Sequence, residues 1–208
     1  MIAKKNCILR LSRYKNELYR LKELGFIKIF SEYLAEAVGV TSAQVRKDFS
    51  LFDISGNKRG GYTIDGLLDK LNSILGKNQI QKVVVVGAGN LGSALLKYKN
   101  FEKQGIRIEA AFDVDPAKST HKSGVPVLSM TELEPFVQKN EIKIAILCVP
   151  EIAAQPVSDA MVKAGIRGVL NFSSQQLKTP AHCIVTNVNL EVELENLIYF
   201  VNARGSIR

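Results

Sequence analysis

The stretch Val83–Tyr98 reads VVVVGAGNLGSALLKY, and it decides the fold of the C-terminal part of the chain. Its four valines predict a buried strand, and the leucines that follow predict a helix. Between them, Gly87, Gly89 and Gly92 have the spacing G-x-G-x-x-G. In this context Gly87 permits a tight turn, Gly89 leaves room for a pyrophosphate, and Gly92 lets helix pack on strand. The stretch therefore predicts a dinucleotide-binding loop.

A second strand, IRIEAAFDVD, follows this helix and ends at Asp113. Asp113 lies 21 residues past Gly92, where an acidic side chain in such a fold hydrogen-bonds the adenosine ribose. A carboxylate at this position repels a 2′-phosphate, and no arginine follows it. The sequence therefore favours NAD(H) over NADP(H) as the cofactor.

Further alternation of strands and helices predicts an α/β fold with a Rossmann-type doubly wound parallel sheet. Strands are expected over Ile142–Val149 and Ile166–Phe172, and helices over Thr131–Lys139 and Glu151–Ala164. Ligands bind at the carboxyl ends of such strands, and we expect Tyr98 near the same pocket. The predicted cofactor-binding residues are Gly87, Ala88, Gly89, Asn90, Leu91, Gly92, Tyr98, Asp113, Val114, Cys148, Val149, Pro150, Asn171, Phe172 and Ser173. A core role for Phe172 is the alternative.

The charge of the chain is concentrated in its first segment. The net charge is +8, of which residues 1–80 contribute 14 Lys/Arg against 8 Asp/Glu, a net of +6. An excess of this kind is typical of a protein that binds the phosphate backbone of a nucleic acid. On charge alone, an ordinary solvated surface is the alternative.

The first 52 residues predict three helices. Leu9–Leu24 places apolar residues at positions 9, 11, 14, 18, 21 and 24, which lie on one helix face. A second helix is expected over Glu32–Val38 with Ser31 as its N-cap, burying Leu34, Ala35 and Val38. After a turn at Gly39-Val40, Thr41 caps a third helix, with Gln44 completing a capping box. This helix is expected to bury Val45, Phe49 and Phe52.

A short glycine turn between two helices, with polar and basic residues on the second, predicts a helix-turn-helix motif. An ordinary helical hairpin is the alternative. The glycine-rich stretch DISGNKRGGYTID follows and predicts a β-hairpin, with Tyr62–Ile64 as its returning strand and Lys58 and Arg59 at its tip. After a recognition helix, such a hairpin is a wing.

A helix over Gly66–Leu75 and a turn at residues 76–79 end this domain. We expect Gln44 and Lys47 to read base edges and the other polar residues to contact phosphates or the minor groove. The predicted DNA-binding residues are Ser42, Gln44, Arg46, Lys47, Ser50, Lys58, Arg59, Gly60 and Tyr62.

Several classes of protein are disfavoured. The first residues have no apolar stretch followed by small residues, so we expect no signal peptide. No apolar run approaches the roughly 20 residues of a membrane span. Three cysteines without CxxC spacing predict reduced thiols in a cytoplasm. Two histidines, far apart in the sequence, make a metal site unlikely to form. No arrangement of Ser/His/Asp or Lys/Tyr suggests catalysis, so a small NAD-dependent reductase is a disfavoured alternative.

The chain resembles the Rex family of bacterial redox-sensing transcriptional repressors over nearly its full length. The resemblance rests on VTSAQVRKDFS, KRGGY, GAGNLGSAL, FDVDP, Val149-Pro150 and GIRGVLNF. It implies a homodimer that binds a palindromic operator, with NADH releasing the DNA and NAD⁺ competing for the same pocket. The residue patterns divide the chain into a winged-helix domain over 1–78, a cofactor domain over 79–190 and a terminal helix within 191–208. The apolar residues of this helix cover more than one face, so it packs either on its own domain or on a second subunit. The resemblance implies that it swaps onto the partner.

The chain departs from the family pattern at three positions. The resemblance implies that two of them, 16 and 189, act with Tyr98 in sensing the reduced nicotinamide, and that the third, 190, packs at the pocket. Asn16 and Asn189 stand where the family often has an arginine and an aspartate, and Leu190 replaces a phenylalanine. The arginine of the wing is also one place later, at Arg59. Two neutral amides make a weaker switch than a charged pair. A DNA-binding protein with altered or lost redox discrimination is therefore the alternative function.

Overall fold

The computed structural model describes residues 5–57, 60–116 and 124–205. It contains two compact units, Met1–Ile80 and Gln81–Arg208. Each unit buries its own apolar residues, so each has a separate hydrophobic core.

The described residues of the N-terminal unit form four helices and a two-stranded sheet. The helices are α1 (Lys5–Glu23), α2 (Ser31–Val38), α3 (Ser42–Ser50) and α4 (Ile64–Ile74). The strands are β1 (Lys28–Ile29) and β2 (Tyr62–Thr63). Helix α4 therefore begins two residues before the predicted Gly66, because Ile64 is fully buried as the first residue of the helix rather than the last of a strand.

Helix α1 begins earlier than predicted and buries a slightly different face. Leu11, Tyr14, Leu18 and Leu21 lie in the core with Cys7, but the predicted Leu9 and Leu24 are more than half exposed. The prediction was wrong at both ends because the strip of residues at 7, 11, 14, 18 and 21 is already wide enough to cover the core.

The turn between α2 and α3 has the geometry of a helix-turn-helix. Gly39 ends α2 with φ of 70°, a left-handed conformation that glycine adopts at little cost. Thr41 then caps α3, and its side chain accepts a 3.1 Å hydrogen bond from the Gln44 N–H. A cap of this kind contributes about 1 kcal/mol. The helices pack through buried Leu34, Ala35, Val45 and Phe49, while Val38 and Phe52 are only partly buried.

The predicted cap of α2 is wrong, and the predicted capping box at α3 is only half formed. Phe30, not Ser31, is the N-cap residue of α2, and Ser31 is the buried first residue of the helix. The capping box at α3 is half formed, because the Gln44 side chain donates to Asp48 instead of returning to the backbone of Thr41.

The wing is anchored to a strand distant in sequence. The bridge between Asn57 and Gly61 closes its turn. Beyond that turn, β2 pairs antiparallel with β1, with Lys28 opposite Thr63 and Ile29 opposite Tyr62. The prediction of a local hairpin missed β1, since two residues are too few to give a periodic signal.

The C-terminal unit alternates strands and helices. Its strands are β3 (Gln81–Val86), β4 (Ile106–Asp113), β5 (Val127–Ser129), β6 (Ile144–Leu147), β7 (Gly168–Asn171) and β8 (Ile184–Asn187). Its helices are α5 (Asn90–Leu96), α6 (Asn100–Lys103), α7 (Leu133–Lys139), α8 (Glu151–Ala164) and α9 (Leu190–Gly205), with a 3₁₀ turn at Met130–Glu132.

The six strands form one parallel sheet in the order β5-β4-β3-β6-β7-β8. This is the Rossmann order, in which the connections reverse direction between the first and fourth strands, here β3 and β6. The predicted doubly wound sheet is therefore confirmed. Because ligands bind at the carboxyl ends of the strands beside such a reversal, the loops after β3 and β6 are the candidate ligand-binding loops.

The two edge strands β5 and β8 were not predicted. Each has four residues or fewer and is only partly buried, so neither has the apolar run that marks β3. The predicted strands at 142–149 and 166–172 are shorter in the structure. Their flanking residues, including fully buried Ile142 and Ile166, belong instead to the turns that lead into the sheet.

Candidate functional site

The glycine loop after β3 is closely packed on one side and open on the other. Gly87 has φ of 95°, and a Cβ there would lie 2.4 Å from the carbonyl oxygen of Cys148. A Cβ on Gly92 would lie 1.9 Å from the carbonyl oxygen of Gly87, whereas one on Gly89 would meet nothing within 4 Å. The loop is therefore fixed by Gly87 and Gly92 and leaves free space at Gly89, which suits the approach of a phosphate group.

The predicted ribose ligand also holds the glycine loop. Asp113 ends β4, and its Oδ2 accepts a 2.7 Å hydrogen bond from the N–H of Ala88. Its Oδ1 accepts a 3.0 Å bond from the N–H of Asp115. Because a carboxylate can accept about four hydrogen bonds, Asp113 retains acceptor capacity for ribose hydroxyls. Beside it, the side chain of Val114 is 86% exposed.

The remaining residues of the loop lie at the surface of the unit. Gly89, Asn90 and Leu91 are exposed, whereas Ala88 is buried in the same core cluster as Val85 and Leu96. The exposed residues face solvent at the start of α5, where the N–H groups of a helix are available to an anion.

The loop after β6 runs beside the glycine loop. The Cys148 N–H donates a 2.7 Å hydrogen bond to the carbonyl of Val86, which joins the two loops. Burial raises the pKa of the Cys148 thiol to about 11, so this thiol is neutral at physiological pH and is a poor nucleophile. Val149 is half-buried and Pro150 is exposed ahead of α8.

The loop after β7 is organised by one buried amide. Asn171 is fully buried, and its Nδ2 donates to the Gln175 carbonyl at 2.8 Å and to Asn187 Oδ1 at 2.9 Å. Its Oδ1 accepts from both the N–H and the hydroxyl of Ser173. These bonds use both donors of the amide, so Asn171 and Ser173 shape this loop. Phe172 is half-buried and packs against the core cluster around Val85 and Ile146.

Tyr98 follows the C-terminal end of α5, which is the end opposite the glycine loop. Its ring is 53% exposed and contacts Phe101 edge to face at 5.0 Å. Together with Leu96, Ile108 and Val125 it lines a separate hollow on the α5 and α6 side of the sheet. The place of Tyr98 near the cofactor pocket therefore stays a prediction.

In the N-terminal unit, α3 presents several of the predicted DNA-binding residues. Lys47 and Ser50 are exposed, and Ser42 and Gln44 are half-buried. The Ser50 hydroxyl donates to the carbonyl of Lys47 at 2.9 Å. No hydrogen bond or ion pair within the described ranges 5–57, 60–116 and 124–205 engages the Lys47 ammonium, so this side chain is available to a ligand.

Arg46 is tied to the start of α2. Its Nη1 donates to the Ser31 hydroxyl at 3.0 Å and to Glu32 Oε1 at 3.2 Å, and its side chain is 53% exposed. Arg46, Ser31 and Glu32 line a hollow beneath the wing. The wing residues Asn57, Gly61 and Tyr62 line the same hollow. Exposed ion pairs contribute little to stability, so their main effect is to orient the guanidinium.

A buried carboxylate on α3 is the feature that the sequence did not reveal. Asp48 is 1% exposed and binds Arg10 of α1 through two hydrogen bonds of 2.6 and 2.7 Å. Tyr14 and Gln44 donate to it at 3.0 and 2.8 Å. Burial alone would raise the pKa of Asp48, but the hydrogen bonds and the charge of Arg10 outweigh it and hold the pKa below its usual value. An aspartate within a basic stretch gives no sequence signal for burial.

The tip of the wing, with Lys58 and Arg59, lies outside the described residues. The base of the wing is described. The Gly60 N–H donates to Asn57, and the Tyr62 ring packs edge to face on Phe49 of α3 at 5.2 Å. This contact fixes the base of the wing against the recognition helix.

Helix α9 is exposed around its whole circumference. Its large apolar residues are between 46% and 69% exposed; they are Leu190, Val192, Leu194, Leu197, Ile198, Tyr199, Phe200 and Val201. Asn189 caps the helix, because its Oδ1 accepts hydrogen bonds of 3.0 and 3.1 Å from the N–H groups of Glu191 and Val192. Such an apolar helix requires a covering surface.

Among the described residues, no group of three or more His, Cys, Asp or Glu side chains could hold a metal ion. The described helices include none that is long and apolar enough to cross a membrane. The three cysteines are not joined in disulfides.

Comparisons with known families match both units. Residues 78–175 match the family model described as "CoA binding domain". Residues 5–50 match the model described as "Putative DNA-binding protein N-terminus". These two matches fall on the glycine-loop fold and on the helix-turn-helix, respectively.

Relatives and solved structures agree with these matches. The redox-sensing transcriptional repressor Rex of Lactobacillus gasseri is 43% identical over 93% of this chain and 91% of its own length. Rex of Carboxydothermus hydrogenoformans is 44% identical over 92% of this chain and 93% of its own. Both relatives are named as repressors rather than enzymes.

The structure of RSP, a Rex-family repressor, in complex with beta-NAD⁺ and operator DNA is similar to this one, with a TM-score of 0.92 and 35% identity. It covers 99% of this chain, and the match spans 95% of the RSP chain. The structure of RSP with beta-NADH has a TM-score of 0.85. From these similarities, together with the glycine loop and the helix-turn-helix, the chain belongs to the Rex family of redox-sensing transcriptional repressors.

Proposed function

We propose that this protein is a transcriptional repressor whose N-terminal unit binds operator DNA and whose C-terminal unit binds NAD(H). NADH releases the DNA, and NAD⁺ competes for the same pocket. The observation that carries the proposal is the glycine loop: it is open only at Gly89, is held by Asp113, and belongs to the same chain as a capped helix-turn-helix.

The DNA-binding role is supported by the surface of α3. Lys47 is exposed and pairs with none of the described residues, and Gln44 is half-buried near the N-terminal end of the helix. Such a helix can place both side chains at base edges in the major groove. Arg46 and Ser50 suit phosphate contacts, because they are exposed on the same helix. Lys58, Arg59, Gly60 and Tyr62 complete the proposed interface as a wing in the minor groove.

The cofactor role is supported by the loops at the point where the sheet reverses direction. Gly87–Gly92 would hold the pyrophosphate, and Asp113 would bind the adenosine ribose and disfavour a 2′-phosphate. Val114, which is exposed beside Asp113, would contact the adenine. Cys148, Val149, Pro150 and Phe172 lie along the neighbouring loops. Asn171 and Ser173 support the cofactor indirectly, by fixing the loop after β7.

The exposed apolar surface of α9 supports a proposed homodimer. A helix of 16 residues with exposed apolar side chains on all faces is not stable in water by itself. A second copy of the chain would cover it and would supply a second recognition helix, so that two half-sites of a palindrome are read about one helical turn apart. We propose the cytoplasm as the location, where such an operator and the NAD(H) pool are both present.

A second candidate function is DNA binding with little discrimination between NADH and NAD⁺. It is favoured by Asn189, whose Oδ1 is occupied in capping α9, and by Asn16, which is exposed and carries no charge. To convert a mostly bound repressor into a mostly free one, NADH must prefer the free state by roughly 5.5 kcal/mol. A weaker preference would leave the operator partly occupied.

The two candidates are separated by restoring the charged pair. The variant Asn16→Arg/Asn189→Asp keeps a capping oxygen at position 189. Operator release by NADH and by NAD⁺ would be titrated for this variant and for the natural chain by fluorescence anisotropy. If the natural chain is a working sensor, it releases DNA at a lower concentration of NADH than of NAD⁺, and the two substitutions are not needed for this. If only the variant distinguishes them, the second candidate is correct.

A further inference from the structure

The buried network around Asp48 bears on how base sequence is read. Asp48 lies in α3 and is almost completely enclosed, yet four hydrogen bonds converge on it. Its Oδ2 accepts from Arg10 Nε and the Tyr14 hydroxyl, and its Oδ1 accepts from Arg10 Nη2 and Gln44 Nε2. With two bonds on each oxygen, the acceptor capacity of the carboxylate is filled.

The chemistry of this carboxylate determines which way the Gln44 amide lies. A glutamine side chain can usually exchange its oxygen and nitrogen positions at little cost. Here an ionised carboxylate can only accept, so the atom of Gln44 that faces Asp48 at 2.8 Å must be the nitrogen. The second N–H and the carbonyl Oε1 of Gln44 remain, and no described residue donates to that oxygen.

We infer that Asp48 is a specificity-determining positioning residue, which fixes the Gln44 amide so that it presents one acceptor and one donor together. This inference rests on the proposed binding of operator DNA. The base edge that matches this pair is adenine, whose N6 amino group donates and whose N7 accepts in the major groove. Asp48 itself does not touch DNA.

Arg10 makes this arrangement possible from another helix. An isolated carboxylate near a DNA-reading surface would repel phosphates. The bidentate ion pair with Arg10 neutralises Asp48, and its 2.6 and 2.7 Å bonds are short, as charge-assisted hydrogen bonds are. Helix α1 therefore sets the orientation of a side chain on α3 without contributing a base contact.

The test compares three variants for base preference. Operator duplexes would be selected by the full-length natural chain from fluorescein-labelled palindromes with randomised half-sites. Each base pair would then be changed in turn, and affinity measured at fixed salt. Gln44→Ala should lose preference at one A·T pair in each half-site, by roughly tenfold or more, as expected for one bidentate contact. Asp48→Asn should lose the same preference, because its amide lets Gln44 reverse.

The matched control is Tyr14→Phe, which removes a donor to Asp48 without touching Gln44. It should retain the preference at that pair. Gln44→Ala and Tyr14→Phe change no charge, so both should keep the affinity of the natural chain for unrelated duplexes and its salt dependence. The inference is overturned if Asp48→Asn keeps the preference, if Gln44→Ala changes none, or if all variants lose affinity for every duplex equally.

A measurement on the natural chain covers the case in which Asp48→Asn does not fold. In a ¹⁵N-labelled sample bound to the selected operator, the side-chain NH₂ of Gln44 should show one proton protected from solvent exchange. Equal and rapid exchange of both protons would overturn the inference. Failure of the proposed function would give a different result from failure of this inference. If the protein does not bind operator DNA, the natural chain selects no duplex from the pool, before any variant is compared.

Discussion

The Oδ2 atom of Asp113 accepts a 2.7 Å hydrogen bond from the backbone N–H of Ala88, which joins the end of β4 to the glycine loop after β3. A residue that sequence spacing assigns to ribose binding thus also organises the loop that would hold the pyrophosphate. Both roles use the same carboxylate, so the geometry of the loop and the recognition of the ribose are coupled.

Asp113→Ala should therefore weaken NADH binding by roughly 10- to 100-fold, the range expected when charge-assisted hydrogen bonds are lost. NADH fluorescence or calorimetry would measure the dissociation constant. Glu109→Gln is the control, because Glu109 lies on the same strand and pairs only with Arg107 in the described contacts. Equal affinities of Asp113→Ala and the natural chain would contradict this role.

Two glycines of the loop should respond differently to the same substitution. Gly92→Ala places a Cβ against the carbonyl oxygen of Gly87, so it should lower the free energy of unfolding by on the order of 1–3 kcal/mol and abolish NADH binding. Gly89→Ala meets nothing within 4 Å and has an ordinary φ of −63°. It should leave the melting temperature unchanged and still weaken NADH binding, because the methyl occupies the space for the phosphates.

Thermal unfolding and NADH titration of both variants distinguish these outcomes. A Gly89→Ala protein that binds NADH as tightly as the natural chain would show that the open side of the loop is not where the pyrophosphate lies.

Lys47 should determine operator selectivity. Its ammonium is exposed and unpaired in the described part of the chain, so Lys47→Ala should cost little stability and reduce the ratio of operator to unrelated-duplex affinity by roughly 5- to 100-fold. Lys139→Ala, which removes an equal charge from an exposed position on α7, is the control. If both substitutions lower the two affinities in parallel, Lys47 contributes only phosphate attraction.

Acid should weaken the N-terminal unit through Asp48. Its pKa is lowered in the folded chain, so the stabilisation is complete above the ordinary carboxyl pKa of about 4 and is lost as the pH falls through the lowered value. Urea unfolding should show that the free energy of unfolding falls more between pH 6 and pH 3 for the natural chain than for Asp48→Asn. Asp65→Asn, in an exposed ion pair, should behave like the natural chain. The prediction is contradicted if the natural chain and Asp48→Asn differ in free energy of unfolding by the same amount at both pH values.

Much of the cofactor-binding fold could be predicted because its signals are local. The valines of β3, the three glycines and Asp113 each have a direct physical reason to occur at their spacing, and the parallel sheet follows from the alternation of elements. The edge strands β5 and β8 escaped prediction since they are short and half-buried, and their pairing with inner strands fixes them more than their own composition does.

The features that could not be predicted depend on contacts between distant segments. The pairing of Ile29 with Tyr62 places the wing, and the four bonds to Asp48 come from positions up to 38 residues away. The burial of Asn171 depends likewise on Asn187, a strand apart. A sequence pattern indicates the structural preference of the segment in which it occurs. The roles of these residues depend instead on contacts with a different segment of the chain.

Nucleotide binding should control DNA binding in this protein, and a titration of the DNA complex measures this coupling. The purified full-length chain would be bound to a fluorescent palindromic operator at fixed salt, and NADH and NAD⁺ would be added in separate experiments. We expect micromolar NADH to release the DNA and NAD⁺ at the same concentration to leave it bound. If neither nucleotide changes operator binding, nucleotide binding does not control DNA binding in this protein.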